Sequence, residues 1–314
     1  MGNENSGKRV YNVNKKFFRE WSPNMAYMLG FTCADGCVYQ RTLSWELSNK
    51  FPSDKLLLER FSKELDSNYL VEEKAKSYRL RINNISLIKD LEKLGIVPNK
   101  TKILKFPRVP NNLLRHFVRG FLDGDGWIVT RVRKNGGKEI CVGFSNGSLV
   151  FMNRLIYNLK NTLGIRNFNL RERKKLTKKG KIALTCQLEF YSDNASKIIH
   201  FLYDKLDNDN LFLERKFEKQ LVARQFYEKT EKIKSFGNKW LSLEDHNKGD
   251  MVEILAGLLN EDLMPREIAG KFGVSLSTLY RWLDKSGVRT LSQRGSEEWT
   301  KRILTSKCKI EYDG

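Results

Sequence analysis

Histidine is scarce in this 314-residue sequence: His116, His200 and His246 are the full set. None stands at a metal-ligand spacing from another, which excludes a histidine-built zinc site. Cys33, Cys37, Cys141, Cys186 and Cys308 are odd in number, scattered and without a CxxC pair. They read as free thiols of a reducing compartment, not as a disulfide framework. No apolar run approaches the ~20 residues that a membrane-crossing helix needs, and no basic amphipathic helix stands out. No charged-then-apolar leader opens the sequence, so a cytoplasmic location is the expectation.

Acidic residues are also in short supply. Lysine and arginine number 57 against 37 acids, a formal charge of +20. A surplus of that size repels itself in a compact fold and points to a polyanionic partner. With membrane surfaces disfavoured, nucleic acid is the reading. Hydrophobic residues at 40% and aromatics at 11% allow a packed core and exclude wholesale disorder.

The most informative feature is a duplication. Residues 25–36 read MAYMLGFTCADG and residues 115–126 read RHFVRGFLDGDG. Each is a helix-like apolar stretch with Gly-Phe in its middle and Asp-Gly at its end, and Asp35 and Asp125 lie ninety residues apart. Trp45-Glu-Leu-Ser-Asn-Lys is answered by Val142-Gly-Phe-Ser-Asn-Gly. Helical spacing then follows over 55–65 and 149–163, alternating stretches around Tyr78–Ile82 and Leu184–Phe190, and helices over 85–94 and 194–206. The order is helix, hairpin, helix, hairpin, helix, twice over.

In the second copy, 127–133 and 139–145 predict a hairpin turned at Asn135-Gly136-Gly137. Alternation sets Arg79 and Arg81 opposite an apolar face, and does the same for Arg131 and Arg133. Gln187 alternates likewise, and the run containing Arg171, Arg173, Lys174 and Lys175 reads as a basic strand end tracking phosphates. Such sheets can lay cations into a major groove.

Gly30 and Gly120, lacking Cβ atoms, would let two motif helices pack backbone to backbone. Gly36 and Gly126 would end those helices as left-handed caps. The helix tails would then bring Asp35 and Asp125 together. Paired carboxylates repel unless a cation intervenes, so the pair predicts a divalent ion. Oxygen donors beside a phosphodiester point to Mg²⁺. Asp123 is assigned to a helix terminus or a supporting contact.

After Phe226 the pattern changes. Residues 228–249 are polar and lysine-rich and read as a linker. Beyond them, 251–259 is an apolar helix, Pro265 suits a first turn, Gly273 a turn and Ser275 an N-cap. Ile268, Ala269, Phe272, Val274, Leu279 and Leu283 make one apolar side, and Ser277, Thr278, Tyr280 and Arg281 face outward as DNA contacts. This resembles the helix-turn-helix of recombinases and regulators.

The two Asp-Gly segments, Met28–Gly36 and Val118–Gly126, resemble the paired motifs of single-chain LAGLIDADG homing endonucleases, with Cys33 where the family often has an earlier acid. The likeness covers 21–227. It implies an α+β fold of two pseudo-symmetric αββαββα repeats forming a DNA-binding saddle, with the small all-α helix-turn-helix domain attached. The organisation is then a 1–20 extension, repeats at 21–112 and 113–227, the 228–249 linker, a 250–295 helix-turn-helix domain and a 296–314 tail. The implied activity is metal-dependent double-strand cutting at a long asymmetric DNA site by a monomer without a protein partner, encoded by a bacterium or phage. Mg²⁺ would serve, Mn²⁺ would substitute, and Ca²⁺ would support binding without cutting. Asp35 and Asp125, with Gly36 and Gly126, form the implied metal site, and Lys100 and Lys216 resemble the family's basic helpers. Similar scaffolds also serve as transcription regulators that have lost the acids, and as intron maturases.

Overall fold

Ser22 accepts the amide N–H of Met25, and Pro23 occupies the first turn. Those two features start helix α1 (Pro23–Asp35) one residue past an extended cap. In the computed structural model, which describes residues 10–289 except 99, 133–137, 177–181, 208–209, 248 and 262, the chain divides into two units, Met1–Tyr227 and Glu228–Gly314.

The first unit repeats one motif twice. After α1 come β1 (Gly36–Tyr39), β2 (Thr42–Ser48), α2 (Pro52–Glu64), β3 (Glu72–Lys74), β4 (Ser77–Asn83) and α3 (Ile85–Lys93). Then α4 (Leu114–Asp125), β5 (Gly126–Val132), β6 (Lys138–Asn146), α5 (Leu149–Leu163), β7 (Asn169–Leu176), β8 (Ile182–Tyr191) and α6 (Ser192–Tyr203) follow. Each copy builds one antiparallel sheet, ordered β1-β2-β4-β3 and β5-β6-β8-β7. The α+β class and the doubled αββαββα order are as the sequence predicts.

Alternation decides the faces. Leu43, Trp45 and Leu47 on β2 and Tyr78, Leu80 and Ile82 on β4 are buried, which leaves Arg79 and Arg81 outside. On the second sheet Ile140, Val142, Phe144, Leu188 and Phe190 are buried. Hairpin register corrects the alignment of the copies: Gly36 pairs with Trp45 and Gly126 with Phe144. Trp45, not Leu47, therefore occupies the place of Phe144. The two-residue slip keeps the faces because the strand period is two. The hairpin turn at 133–137 lies outside the described residues.

Residues 10–20 are not a loose extension. Phe18 is buried, Arg19 meets Asp90 at 2.7 Å, and the Asn14 amide donates to the Leu65 carbonyl.

Helix α7 (Glu214–Phe236) runs across the division between the units. The stretch read as a linker is helical over most of its described residues: α7 continues to Phe236, Gly237 takes a left-handed φ of +89°, and α8 (Asn238–Asn247) follows. Its polar composition conceals Trp240, Leu241 and Leu243, which pack with the second unit's core. That core is completed by α9 (Met251–Asn260), α10 (Pro265–Phe272) and α11 (Leu276–Ser286). Pro265 opens α10, Gly273 closes it at φ +61°, and Ser275 caps α11 by accepting the Thr278 amide. Trp282 meets Trp240 edge-on at 5.1 Å and donates its indole N–H to the Phe236 carbonyl.

Candidate active site

Helices α1 and α4 make the most extensive helix contact in the protein. A Cβ on Gly30 would lie 2.0 Å from the Phe117 carbonyl oxygen, and one on Gly120 2.0 Å from that of Tyr27. The contact is a near-twofold: each glycine faces the residue three before the other. One turn onward, a Cβ on Gly124 would lie 2.4 Å from the Ala34 Cβ and 3.5 Å from Asp35 Oδ2. Small residues thus carry the closeness to the helix tails, where Asp35 and Asp125 meet.

Asp35 is exposed and Asp125 half-buried. Partial desolvation raises the Asp35 pKa against the opposing pull of Lys216, Lys100 and Arg215. Asp125 is pushed up to about 7, first by burial and then by the charge of Asp35 beside it. The charge of Asp35 thus acts on Asp125, as expected of two acids that lie near each other.

Gly36 and Gly126 do end these helices, but not as left-handed caps. Their φ values are −77° and −104°, and each begins a strand. Glycine is required there by space: a Cβ would fall 2.5 Å from the Thr32 side chain at Gly36 and 2.4 Å from Leu122 Cδ1 at Gly126.

The two lysines occupy matching places. Lys100 donates its ammonium to the Gly36 carbonyl, and Lys216 donates to the Gly126 carbonyl and, at 3.1 Å, to that of Leu122. They are unequal in exposure. Lys216 is only 4% exposed, and burial lowers its pKa to about 8, whereas Lys100 keeps part of its surface open. Arg215, next to Lys216, binds both oxygens of buried Asp54 through Nε at 3.1 Å, pinning the start of α7 to the start of α2.

Asp123 carries more than a helix end. Buried completely, it accepts the hydroxyls of Tyr27 (2.7 Å) and Tyr203 (3.1 Å) and the amide of Leu213 (2.8 Å). Arg119, one turn earlier and also buried, donates to the carbonyls of Leu202 and Leu211, both at 3.0 Å. The first copy has Leu29 and Cys33 at these places. Sequence reasoning overlooked Arg119, although an Arg and an Asp four apart on a buried helical face are a legible signal.

Among the described residues no group of three or more His, Cys, Asp or Glu gathers. The available donors are the two carboxylates, a hard-oxygen pair; the Gly36 and Gly126 carbonyls, expected from the sequence to join the metal site, each accept a lysine ammonium instead. The carboxylate pair fits Mg²⁺, which commonly keeps several waters and takes substrate phosphate oxygens as further ligands.

The basic residues of the sheets divide into two groups. Arg79 is bound by Glu46, and Arg171 and Arg131 lie 2.8 and 3.6 Å from Glu189. Arg81, Arg173 and Lys174 are exposed and form no ion pair among the described residues. Lys174 departs from expectation: it alternates with Arg171 and Arg173 and so projects from the other face of β7. Gln187 is half-buried opposite Arg171. Arg133 and the Lys175 side chain lie outside the described residues. On α11, Ser277, Tyr280 and Arg281 are exposed and Thr278 is half-buried; the Ser277 and Thr278 hydroxyls each lie 2.9 Å from that of Ser275.

No family model matches the sequence, and no curated protein does. Among solved structures, the chain is similar to the LAGLIDADG homing endonuclease I-GzeII in complex with its DNA target, at 13% identity over 70% of this chain and 99% of that one, with a TM-score of 0.44. It is also similar to the LAGLIDADG meganuclease I-AabMI bound to uncleaved DNA, at 14% identity over 67% and 92%, with a TM-score of 0.45. Full-length DUF199/WhiA from Thermatoga maritima aligns at 16% identity over 87% and 94%, with a TM-score of 0.37.

Proposed function

We propose that this chain is a site-specific endonuclease of the LAGLIDADG type that cuts both strands of duplex DNA at a long asymmetric site. The observation that carries the reading is the meeting of Asp35 and Asp125 at the tails of two glycine-bridged helices, in a chain of charge +20. Asp35 and Asp125 would hold Mg²⁺ or Mn²⁺, with water and substrate phosphate oxygens completing the ligand set. Bound metal would supply an activated water and charge stabilisation at the leaving 3′ oxygen. Lys100, the more open of the two lysines, would meet a phosphate while held by the Gly36 carbonyl. Lys216 acts as a positioning residue that ties the tail of α4 to the start of α7.

The outward sheet faces supply Arg81, Arg131, Arg171 and Arg173 for groove and phosphate contacts. The second unit adds a helix-turn-helix reader through Ser277, Tyr280 and Arg281, and linking two readers raises affinity by effective concentration. Two unlike repeats in one chain imply a monomer on a non-palindromic site.

The test uses a duplex site selected by the protein. Asp35→Asn or Asp125→Asn should abolish Mg²⁺-dependent cutting and leave binding in Ca²⁺ within about threefold, since removing metal ligands removes transition-state stabilisation. Variants that cut normally would refute the metal assignment. A wild-type protein that binds its site and never cuts would be a DNA-binding regulator instead.

A further inference from the structure

Glu189 is an anomaly on the outward face of β8. Its side chain is 9% exposed, while the arginines over it, Arg131 and Arg171, are 46% and 48% exposed. Glu189 Oε2 accepts Arg171 Nη2 at 2.8 Å and the Tyr191 hydroxyl at 2.7 Å, and Oε1 lies 3.6 Å from Arg131 Nη2. One carboxylate therefore hydrogen-bonds an arginine from β7 and attracts one from β5 at ion-pair distance, on opposite sides of it in the sheet.

The sheet makes room for this. Directly opposite Glu189 on β6 stands Gly143, which has no side chain, and beyond it Trp127 on β5 lays its indole against the glycine. A Cβ on Gly143 would fall 2.1 Å from the Trp127 ring. The Trp127 indole takes the space that a side chain at 143 would need, so no side chain on β6 stands directly between Glu189 and that ring.

The first sheet does not repeat the device. Cys37 pairs with Ser44 and Ser44 with Arg81, as Trp127 pairs with Gly143 and Gly143 with Glu189. Equivalent positions thus carry an exposed, unpaired arginine in one copy and a buried, arginine-binding glutamate in the other.

We propose that Glu189 is a positioning residue for base recognition: it holds Arg131 and Arg171 so that their remaining N–H donors read guanine edges in the major groove facing the second repeat. The inference rests on the reading of the chain as a sequence-specific DNA binder. A guanidinium has five N–H donors, and each arginine keeps most of them free after meeting Glu189. Guanine O6 and N7 match a fixed guanidinium fork, whereas phosphate accepts a mobile cation in many poses. Holding the fork in advance removes the ordering cost that a free arginine meets on binding. Glu189 itself does not read cytosine, because its oxygens already face three donors.

The experiment selects binding sites for the full chain from randomised duplexes, in parallel for wild type, Glu189→Gln and Arg171→Lys, in Ca²⁺. Wild type should select guanine at positions in one half of its site. Both variants should lower that guanine preference about tenfold or more, and leave the preferences of the other half unchanged. Affinity of Glu189→Gln for unselected duplex should stay equal or rise, because a negative charge has been removed. Glu189→Gln that retains the guanine preference, or that weakens every sequence alike, overturns the proposal while the DNA-binding reading stands. Wild type that selects no sequence overturns both.

Discussion

Gly30 lies so close to Phe117 that a Cβ on the glycine would stand 2.0 Å from the phenylalanine carbonyl oxygen, and Gly120 stands in the same relation to Tyr27. The obstructing atom is backbone, so no rotamer change can relieve it. Replacing either glycine by alanine should push α1 and α4 apart and cost about 3 kcal/mol or more, at or beyond the upper end of overpacking penalties. Denaturant unfolding measures the cost. A loss below about 1 kcal/mol would mean that the helices are not packed through these residues.

The Asp35–Asp125 pair gives a pH dependence with a definite sign. In the metal-free fold the Asp125 carboxyl is pushed up to about 7, against about 4 in an unfolded chain. Its contribution to stability is full below the unfolded value and is lost as pH rises to about 7, because over that range the unfolded chain has given up a proton that the folded chain still holds. A divalent ion binds the ionised pair. The rise in melting temperature on adding Ca²⁺ should therefore be larger at pH 8 than at pH 6, and Asp125→Asn should remove it at both. An equal or larger shift at pH 6 would contradict the site.

Asp123 and Cys33 hold the same place in the two copies and should differ in weight. Asp123→Ala leaves two tyrosine hydroxyls and the Leu213 amide without their buried acceptor, a loss of about 3 kcal/mol or more. Cys33→Ala removes only a small apolar group and should cost about 1 kcal/mol. Matched chemical denaturation curves test the contrast. Similar losses would mean that the polar cluster adds nothing beyond packing.

On the second unit, Tyr280 and Arg281 project from α11 outside its core. Alanine at either should weaken binding of the selected site and leave the cutting rate of bound DNA unchanged. For Arg281→Ala the slope of log affinity against log salt should fall by about one, if it meets a phosphate. Filter binding at several salt concentrations reads this directly, and unchanged affinity in both variants would remove the unit from DNA contact.

Much of the site was legible in the chain because duplication repeats its own signal. Gly30 with Gly120 and Asp35 with Asp125 stand out as pairs where either member alone would be unremarkable. The strand faces were equally readable, since alternation along β4 separates Tyr78, Leu80 and Ile82 from Arg79 and Arg81 without reference to anything distant. The second unit's turn was readable for the same reason: Pro265, Gly273 and Ser275 act on their immediate neighbours.

What could not be read depends on contacts between residues far apart in sequence. Polar composition over 228–249 suggests a linker, yet Trp240 packs edge-on against Trp282 and joins a core with Met251 and Leu255. Gly126 looks like a left-handed cap, yet it starts a strand at φ −104°, and a Cβ there would stand 2.9 Å from the carbonyl oxygen of Gly143 on the paired strand.

By itself the sequence determined the repeat, the helices and strands, the outward and inward faces and the two acids, because these follow from local periodicity and from comparison of the chain with itself. Only the tertiary structure decided which arginines Glu46 and Glu189 bind, that Lys216 is buried while Lys100 is open, and that Asp123 gathers donors from three other segments. Those outcomes turn on distances of a few ångströms between residues up to about a hundred positions apart, and short-range electrostatics and desolvation act on distance in space, not on position in the chain.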